Sequence, residues 1–296
     1  MKWFLRVGLP LILIVVIAFL GISGYLGYSM TRVERVPVEE EPALLGLTYE
    51  NVSFTSADGK LNLSGWYFPV KDSERVIIMV HGADGNRADP SIGMLDIASD
   101  LVKNNYNVLA FDLRGHGESE GSWMSAGYYE KIDLLGAVDY VKGCGLERIG
   151  VLGFSVGAAT ALMAAAESGD IDAIVADSSF ADLKDMMAPE FSKRTKFPQF
   201  FLQPLLAMVK IMYGVDFNAV KPADAVPRIA PRPIFFIHGE LDETVPLEHA
   251  YRLHQVSQNK GNQLWVVPEV GHVRAYTTHP EEYIAKVTAF FDSVLR

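Results

Sequence analysis

The sequence predicts an α/β fold built on a mainly parallel sheet with helices on both faces. Three observations carry that prediction. Short apolar runs such as "RVIIMV", "IGVLGF" and "PIFFI" read as strands buried on both sides. Helical stripes alternate with them, as in "MLDIASDLVKNN", where Met94, Leu95, Ala98, Leu101 and Val102 share one face. Of the 296 residues, 49% are hydrophobic and 21% charged, which supplies one large core.

The elements follow in order. The first 31 residues stand apart: no charge lies between Arg6 and Arg32. As a helix, residues 7–31 extend about 37 Å, enough to cross roughly 30 Å of hydrocarbon. Lys2 and Arg6 precede the run, and Tyr25 and Tyr28 fall where interfacial aromatics sit. A cleaved signal peptide is the rival reading, with Gly21-Ile22-Ser23 as a small-x-small site. Apolar residues continue past that site, so residues 1–31 are expected to be an uncleaved, single-pass membrane anchor. Arg32 and Arg35 balance Lys2 and Arg6, so basic residues decide little about orientation. A very short N-terminal tail is expected to stay in the cytoplasm, which puts the main domain outside. Residues 32–47, charged and bearing Pro37 and Pro42, read as a tether.

Residues 48–296 are expected to form the main domain. "TYENVSFTSADGKLNLSGWYFPV" alternates and turns at Asp58-Gly59, a hairpin signal. Buried strands and helices then alternate up to "IDAIVADSSF", and two further strands, "PIFFIHG" and "NQLWVVP", precede a closing helix. Residues 182–226 break the rhythm. "APEFSKRTKFPQFFLQPLLAMVKIMYGVDF" has no strand and is rich in Phe, Met and Leu. It is expected to be a helical lid, because ligand sites in open α/β sheets lie at the strands' carboxyl ends. Ordinary outer-layer packing is the alternative.

Composition excludes several functions. The net charge of −10 without a basic block argues against nucleic acid as a partner. The single cysteine, Cys144, cannot form an internal disulfide or a thiolate metal cluster, and the seven histidines lack ligand spacing. No metal and no cofactor are expected.

The chemistry-bearing stretch is "RIGVLGFSVGAAT". Gly153-Phe154-Ser155-Val156-Gly157 matches G-x-S-x-G between a strand and a helix, the setting in which that short pattern becomes informative. Glycines at 153 and 157 remove side chains that would collide across so sharp a turn. A glycine-rich turn with a capping serine is the plainer reading. A serine hydroxyl needs a base to take its proton and an acid to orient that base. Asp242, in the loop after "FFIHG", and His272, in the loop after "WVVPEVG", stand in suitable places. The order Ser155, Asp242, His272 is the one this arrangement uses. Competitors are Asp177 after another strand, Glu240 and Glu243 beside the acid, and His279 at a helix start. His238 reads as a packed strand-end residue, and His249 and His254 as residues of a surface helix. Backbone N–H groups of Ala83, just past His81-Gly82, and of Val156 are the candidate donors for a developing oxyanion.

Taken together, "HGADGN", "FDLRGHGES", "GFSVGAATA", "HGELDETVP" and the "GH" at 271–272 resemble the α/β-hydrolase fold family, over about residues 48–296. The likeness is to its serine esterase and lipase branch, often labelled serine aminopeptidase-like or lysophospholipase-like. The resemblance implies an eight-stranded sheet, no cofactor and an acyl-enzyme mechanism. By position it makes Ser155 the nucleophile, Asp242 the acid, His272 the base, and Ala83 and Val156 the oxyanion donors. It also makes residues 114–119 a loop bracing the active-site edge, with His116 outside catalysis. A lipase-type His-Gly-Gly-Gly run is absent, since Ala83-Asp84 replace the inner glycines, which argues against tertiary-alcohol esters and other bulky substrates. The expected activity is hydrolysis of carboxylic esters or thioesters, small or lipid-derived. A serine aminopeptidase-type peptidase and a non-catalytic binding protein on the same fold are the alternatives. Oligomeric state is not readable.

Overall fold

The computed structural model describes residues 4–296. Lys2, counted above among the basic residues preceding the anchor, lies outside the described residues. A π-helical turn, Phe4–Gly8, leads into helix α1, Leu9–Thr31. A short 3-10 turn, Pro42–Leu45, precedes the sheet.

Among the described residues the sheet has eight strands: β1 (Glu50–Thr55), β2 (Asn62–Phe68), β3 (Arg75–Val80), β4 (Asn107–Phe111), β5 (Arg148–Phe154), β6 (Ala173–Asp177), β7 (Ile234–Gly239) and β8 (Gln263–Val267). Their spatial order is β1-β2-β4-β3-β5-β6-β7-β8. The β1–β2 hairpin turns at Asp58-Gly59 and joins β4 antiparallel, and every later pairing is parallel.

Helices are α2 (Met94–Lys103), α3 (Glu130–Gly143), α4 (Val156–Ala165), α5 (Leu183–Thr195), α6 (Leu202–Tyr213), α7 (Pro222–Ala225), α8 (Glu248–Val256), α9 (Ala275–Thr278) and α10 (Pro280–Val294). Alternate strand residues feed two cores. Val76, Ile78 and Val80 pack with α3, α4 and α8, while Ile77 and Met79 pack with α2 and α10. That two-sided burial is why β3, β5, β6 and β7 read as unbroken apolar runs rather than as alternation. Each fully buried Ile or Val is worth about 1.5–3 kcal/mol over its exposed state.

Helix α4 is buried along its whole length, between the sheet and a third apolar cluster. Alanines at 158, 159, 161, 164 and 165 let neighbours approach it from every side. The third cluster belongs to residues 182–226, which contain α5, α6, α7 and 3-10 turns but no strand. It joins Phe191, Phe201, Leu205 and Val209 to Leu26 of α1 on one side and to Val156 and Ala83 on the other. The tether also lies against the domain. Met124 N–H donates to Thr31 O at 2.8 Å, and Asn86 Nδ2 donates to the carbonyls of Val36 and Pro37.

Candidate active site

Ser155 sits between the last residue of β5 and the first of α4, with φ 54° and ψ −115°. A non-glycine residue there is strained, a cost of about 1–3 kcal/mol that the surroundings must hold. They do so through Ser155 N–H, which donates to Asp177 O at 2.8 Å, and through the two flanking glycines. A Cβ on Gly153 would stand 2.5 Å from Gly157 O. One on Gly157 would run into the carbonyls of Val80 and His81. The glycines therefore allow α4 to start against β3 and β5, leaving Ser155 at the carboxyl edge of the sheet.

Asp242 and His272 come to that serine from the loops after β7 and β8. His272 Nε2 lies 2.9 Å from Ser155 Oγ, and its Nδ1 lies 2.7 Å from Asp242 Oδ2. An ionised carboxylate only accepts, so Nδ1 carries the proton and Nε2 is free to accept from the serine hydroxyl. Asp242 is 6% exposed, and its Oδ1 accepts the N–H groups of Thr244 and Val245 at 2.9 and 2.8 Å. The His272 loop needs Gly239 at the end of β7, where a Cβ would stand 2.6 Å from Gly271 O. Val273 N–H donates to Ser178 Oγ at 3.2 Å, which fixes the other side of the histidine.

Ala83 and Val156 lie on either side of Ser155. Val156 opens α4, so its N–H is one of the helix's unpaired donors. A Cβ added to Gly82 would be 3.6 Å from Ser155 Cβ, which puts the Gly82-Ala83 peptide beside the serine. Neither N–H has an acceptor among the described residues. Unpaired N–H groups beside a nucleophile are the kind of donor that can stabilise negative charge.

Residues 112–119 hold this edge. Arg114 grips the buried Asp133 through Nε and Nη2 at 2.9 and 2.6 Å. Arg87 pairs with Asp112, and Asp112 Oδ2 also accepts Glu118 N–H at 2.9 Å. His116 reaches further than the sequence reading anticipated. Its Nε2 lies on Ala83 O and its Nδ1 on Arg114 O, so it clamps the loop that carries a candidate oxyanion donor. His81 supports the same loop from below: Leu113 N–H donates to its Nε2 at 3.0 Å, and its Nδ1 faces Gly82 O. Burial pushes the His81 imidazole down to about 4, which keeps it neutral.

None of the competing residues hydrogen-bonds the serine hydroxyl. Glu240 and Glu243 are exposed, and His279 caps α10 in solvent. His238 is buried beside Asp242, with Nε2 on Val245 O at 2.8 Å and its pKa lowered by burial. His249 is not on the surface as expected: Ala181 N–H donates to its Nδ1 at 3.1 Å, because this face of α8 packs under the loop after β6. Asp177 is fully buried and accepts the hydroxyls of Ser178 and Tyr283 at 2.9 and 3.0 Å. Burial pushes its carboxyl up to about 6. The sequence reading missed Ser178 and Tyr283 as supports. Ser178 had one signal, its place directly after the strand-ending Asp177, whereas Tyr283 lies in the closing helix and had none.

A mainly parallel eight-stranded sheet with this serine, histidine and aspartate on one edge defines a serine hydrolase of the α/β-hydrolase fold. The chain belongs to the prolyl oligopeptidase family, whose model matches residues 97–296. It is similar to the uncharacterized protein YqkD of Bacillus subtilis, with 30% identity over 239 residues, 79% of this chain and 76% of that one. Protein ABHD12B of Homo sapiens is 27% identical over 230 residues, 74% of this chain and 60% of its own. Among solved structures, the esterase PF2001 of Pyrococcus furiosus matches with a TM-score of 0.76 and 29% identity, over 90% of this chain and 99% of that one.

Proposed function

We propose that this protein is a membrane-anchored serine hydrolase that cleaves carboxylic esters or thioesters through an acyl-enzyme. The observation that carries the reading is His272 bridging Ser155 and Asp242 at 2.9 and 2.7 Å. His272 takes the Ser155 proton as Oγ attacks the acyl carbonyl, and the N–H groups of Ala83 and Val156 receive the oxyanion. The imidazolium, steadied by Asp242, then protonates the leaving alcohol or thiol. Water attacks the acyl-serine, gives its proton to His272, and the acid leaves as Ser155 is restored.

Similarity to an esterase from Pyrococcus furiosus supports ester cleavage. The apolar cluster of Phe191, Phe197 and Phe201 against Val156 and Ala83 supports residues 182–226 as a lid over an apolar acyl group. Helix α1, 23 residues and exposed through most of its first half, supports the anchor. The domain is placed on the extracytoplasmic side; alkaline phosphatase fused at the C-terminus is expected to be active, and an inactive fusion would reverse the orientation.

A fluorophosphonate probe tests the nucleophile. Wild type is expected to label and Ser155→Ala to lose labelling; equal labelling of the two would end the assignment. Peptide hydrolysis is the second reading, favoured by membership of the prolyl oligopeptidase family. An aminopeptidase needs free acids for the substrate's amino group. In the insert Asp185 is paired with Arg252 at 2.7 Å, Glu190 with Lys193 at 2.8 Å and Asp182 with Lys221 at 3.5 Å. Faster turnover of aminoacyl p-nitroanilides than of p-nitrophenyl esters would move the conclusion to that reading.

A further inference from the structure

The free part of α1 is too short to cross a bilayer. Residues 7–18 stand clear of the domain, about 18 Å of helix at 1.5 Å per residue, against roughly 30 Å of hydrocarbon. From Phe19 onward the helix has company. Phe19 stacks on Phe200 and lies tilted against Phe201, with ring centroids 6.2 and 4.7 Å away. A Cβ on Gly24 would be 3.3 Å from Met208 Cε, and one on Gly27 would be 3.0 Å from Val209 Cγ2. The missing 12 Å or so corresponds to about eight more residues, which carries the hydrocarbon to the level of Leu26. Along that stretch the turn at Gln199–Phe201 lies beside Phe19, and helix α6 lies beside Gly24 and Gly27.

The outward sides of those elements suit that depth. Phe200, 64% exposed, stacks on Phe19, and Met212, 43% exposed, lies 4.0 Å from a Cβ built on Gly24; Ile211, 76% exposed, precedes Met212 in α6. Exposed Lys193, Arg194 and Lys196 lie four to seven residues before Phe200, with Lys193 also 2.8 Å from Glu190, a basic run within a chain of net charge −10. Apolar side chains at hydrocarbon depth beside cations able to reach headgroups match an anionic bilayer.

We infer that the insert is a second membrane contact: Phe200, Ile211 and Met212 enter the outer hydrocarbon beside α1, with Lys193, Arg194 and Lys196 at the anionic headgroups. The inference rests on the anchor reading above. It puts the apolar cluster that includes Val156 and Ala83 beside lipid, so the acyl substrate is drawn from the bilayer.

Spin labels on the full-length chain in phosphatidylglycerol–phosphatidylethanolamine nanodiscs test it. Native Cys144, exposed at the far end of α3, is the aqueous control. Val16→Cys, Phe200→Cys and Ile211→Cys, each in a Cys144→Ser chain, report depth, and fluorophosphonate labelling checks that each variant is folded. Labels at 16, 200 and 211 are expected to collide preferentially with oxygen, and Cys144 with an aqueous nickel chelate. A nickel preference at either 200 or 211 with oxygen preference at 16 overturns the inference and leaves the anchor standing. Nickel preference at 16 removes the anchor and this inference with it. Shielding of 200 and 211 from both reagents means that a second copy covers the face, and also overturns it.

Discussion

At the scale of single residues, Asp177 makes a measurable prediction. Its carboxyl is held by two hydroxyls and no cation, and burial raises it from 3.8 to about 6. The folded protein therefore binds this proton more tightly than the unfolded chain does. Stability falls as pH rises from about 4 to about 6, the opposite of a salt-bridged aspartate. Asp177→Asn keeps the acceptor for Tyr283 and does not ionise. In urea unfolding it is expected to gain on the order of 2 kcal/mol relative to wild type between pH 4 and pH 7. Parallel pH curves for the two proteins would show that Asp177 is not the source. The same residue illustrates what a sequence conceals. Its position after a strand made it a competitor of Asp242, and only the packing of Tyr283 against it turns it into a support.

At the scale of elements, the strand–turn–helix from β5 to α4 was legible because sterics leave so few options. A serine between two glycines, an apolar run before and alanines after, admit little else. The Asp242 and His272 loops were legible for a related reason, since each follows a strand whose carboxyl end faces the same edge. The contacts of His116 with Ala83 and of His249 with Ala181 were not, because they join residues far apart in sequence and leave no periodic trace. The turn itself is open to test. In Gly157→Ala the new methyl meets the carbonyls of Val80 and His81, which belong to backbone and cannot swing aside. The start of α4 must shift and carry Val156 N–H with it. We expect kcat to fall by about 10²-fold or more, the scale of one lost oxyanion donor, with a lowered Tm. Unchanged ester turnover would mean that the close approach is relieved without moving Val156.

At the scale of the whole molecule, α1 is part of the domain's packing as well as an apolar segment. Leu26 and Gly27 are buried against α6, in the cluster that reaches Val156 and Ala83 beside Ser155. Removal of residues 1–31 bares Leu205 and Val209, and amide hydrogen exchange in α6 is expected to rise while the central strands stay protected. Unaltered exchange in α6 would show that the insert holds its place without α1. The hairpin and the parallel strands were legible from alternation and apolar runs; the docking of α1 on α6 was not, since an apolar helix reads the same whether lipid or protein covers it.

The tether joins these levels through one side chain. Arg35 donates to Gly117 O and to Gly121 O, each at 2.7 Å, and the imidazole between these carbonyls and residue 114 clamps Ala83. Under the proposed anchoring, load on the N-terminal segment therefore has a two-step route to Ala83, beside Ser155. Arg35→Ala cuts that route at its first link. If the proposed anchor holds, wild-type ester turnover is expected to vary with lipid thickness and that of Arg35→Ala is not; the same response in both proteins would show that Arg35 transmits nothing.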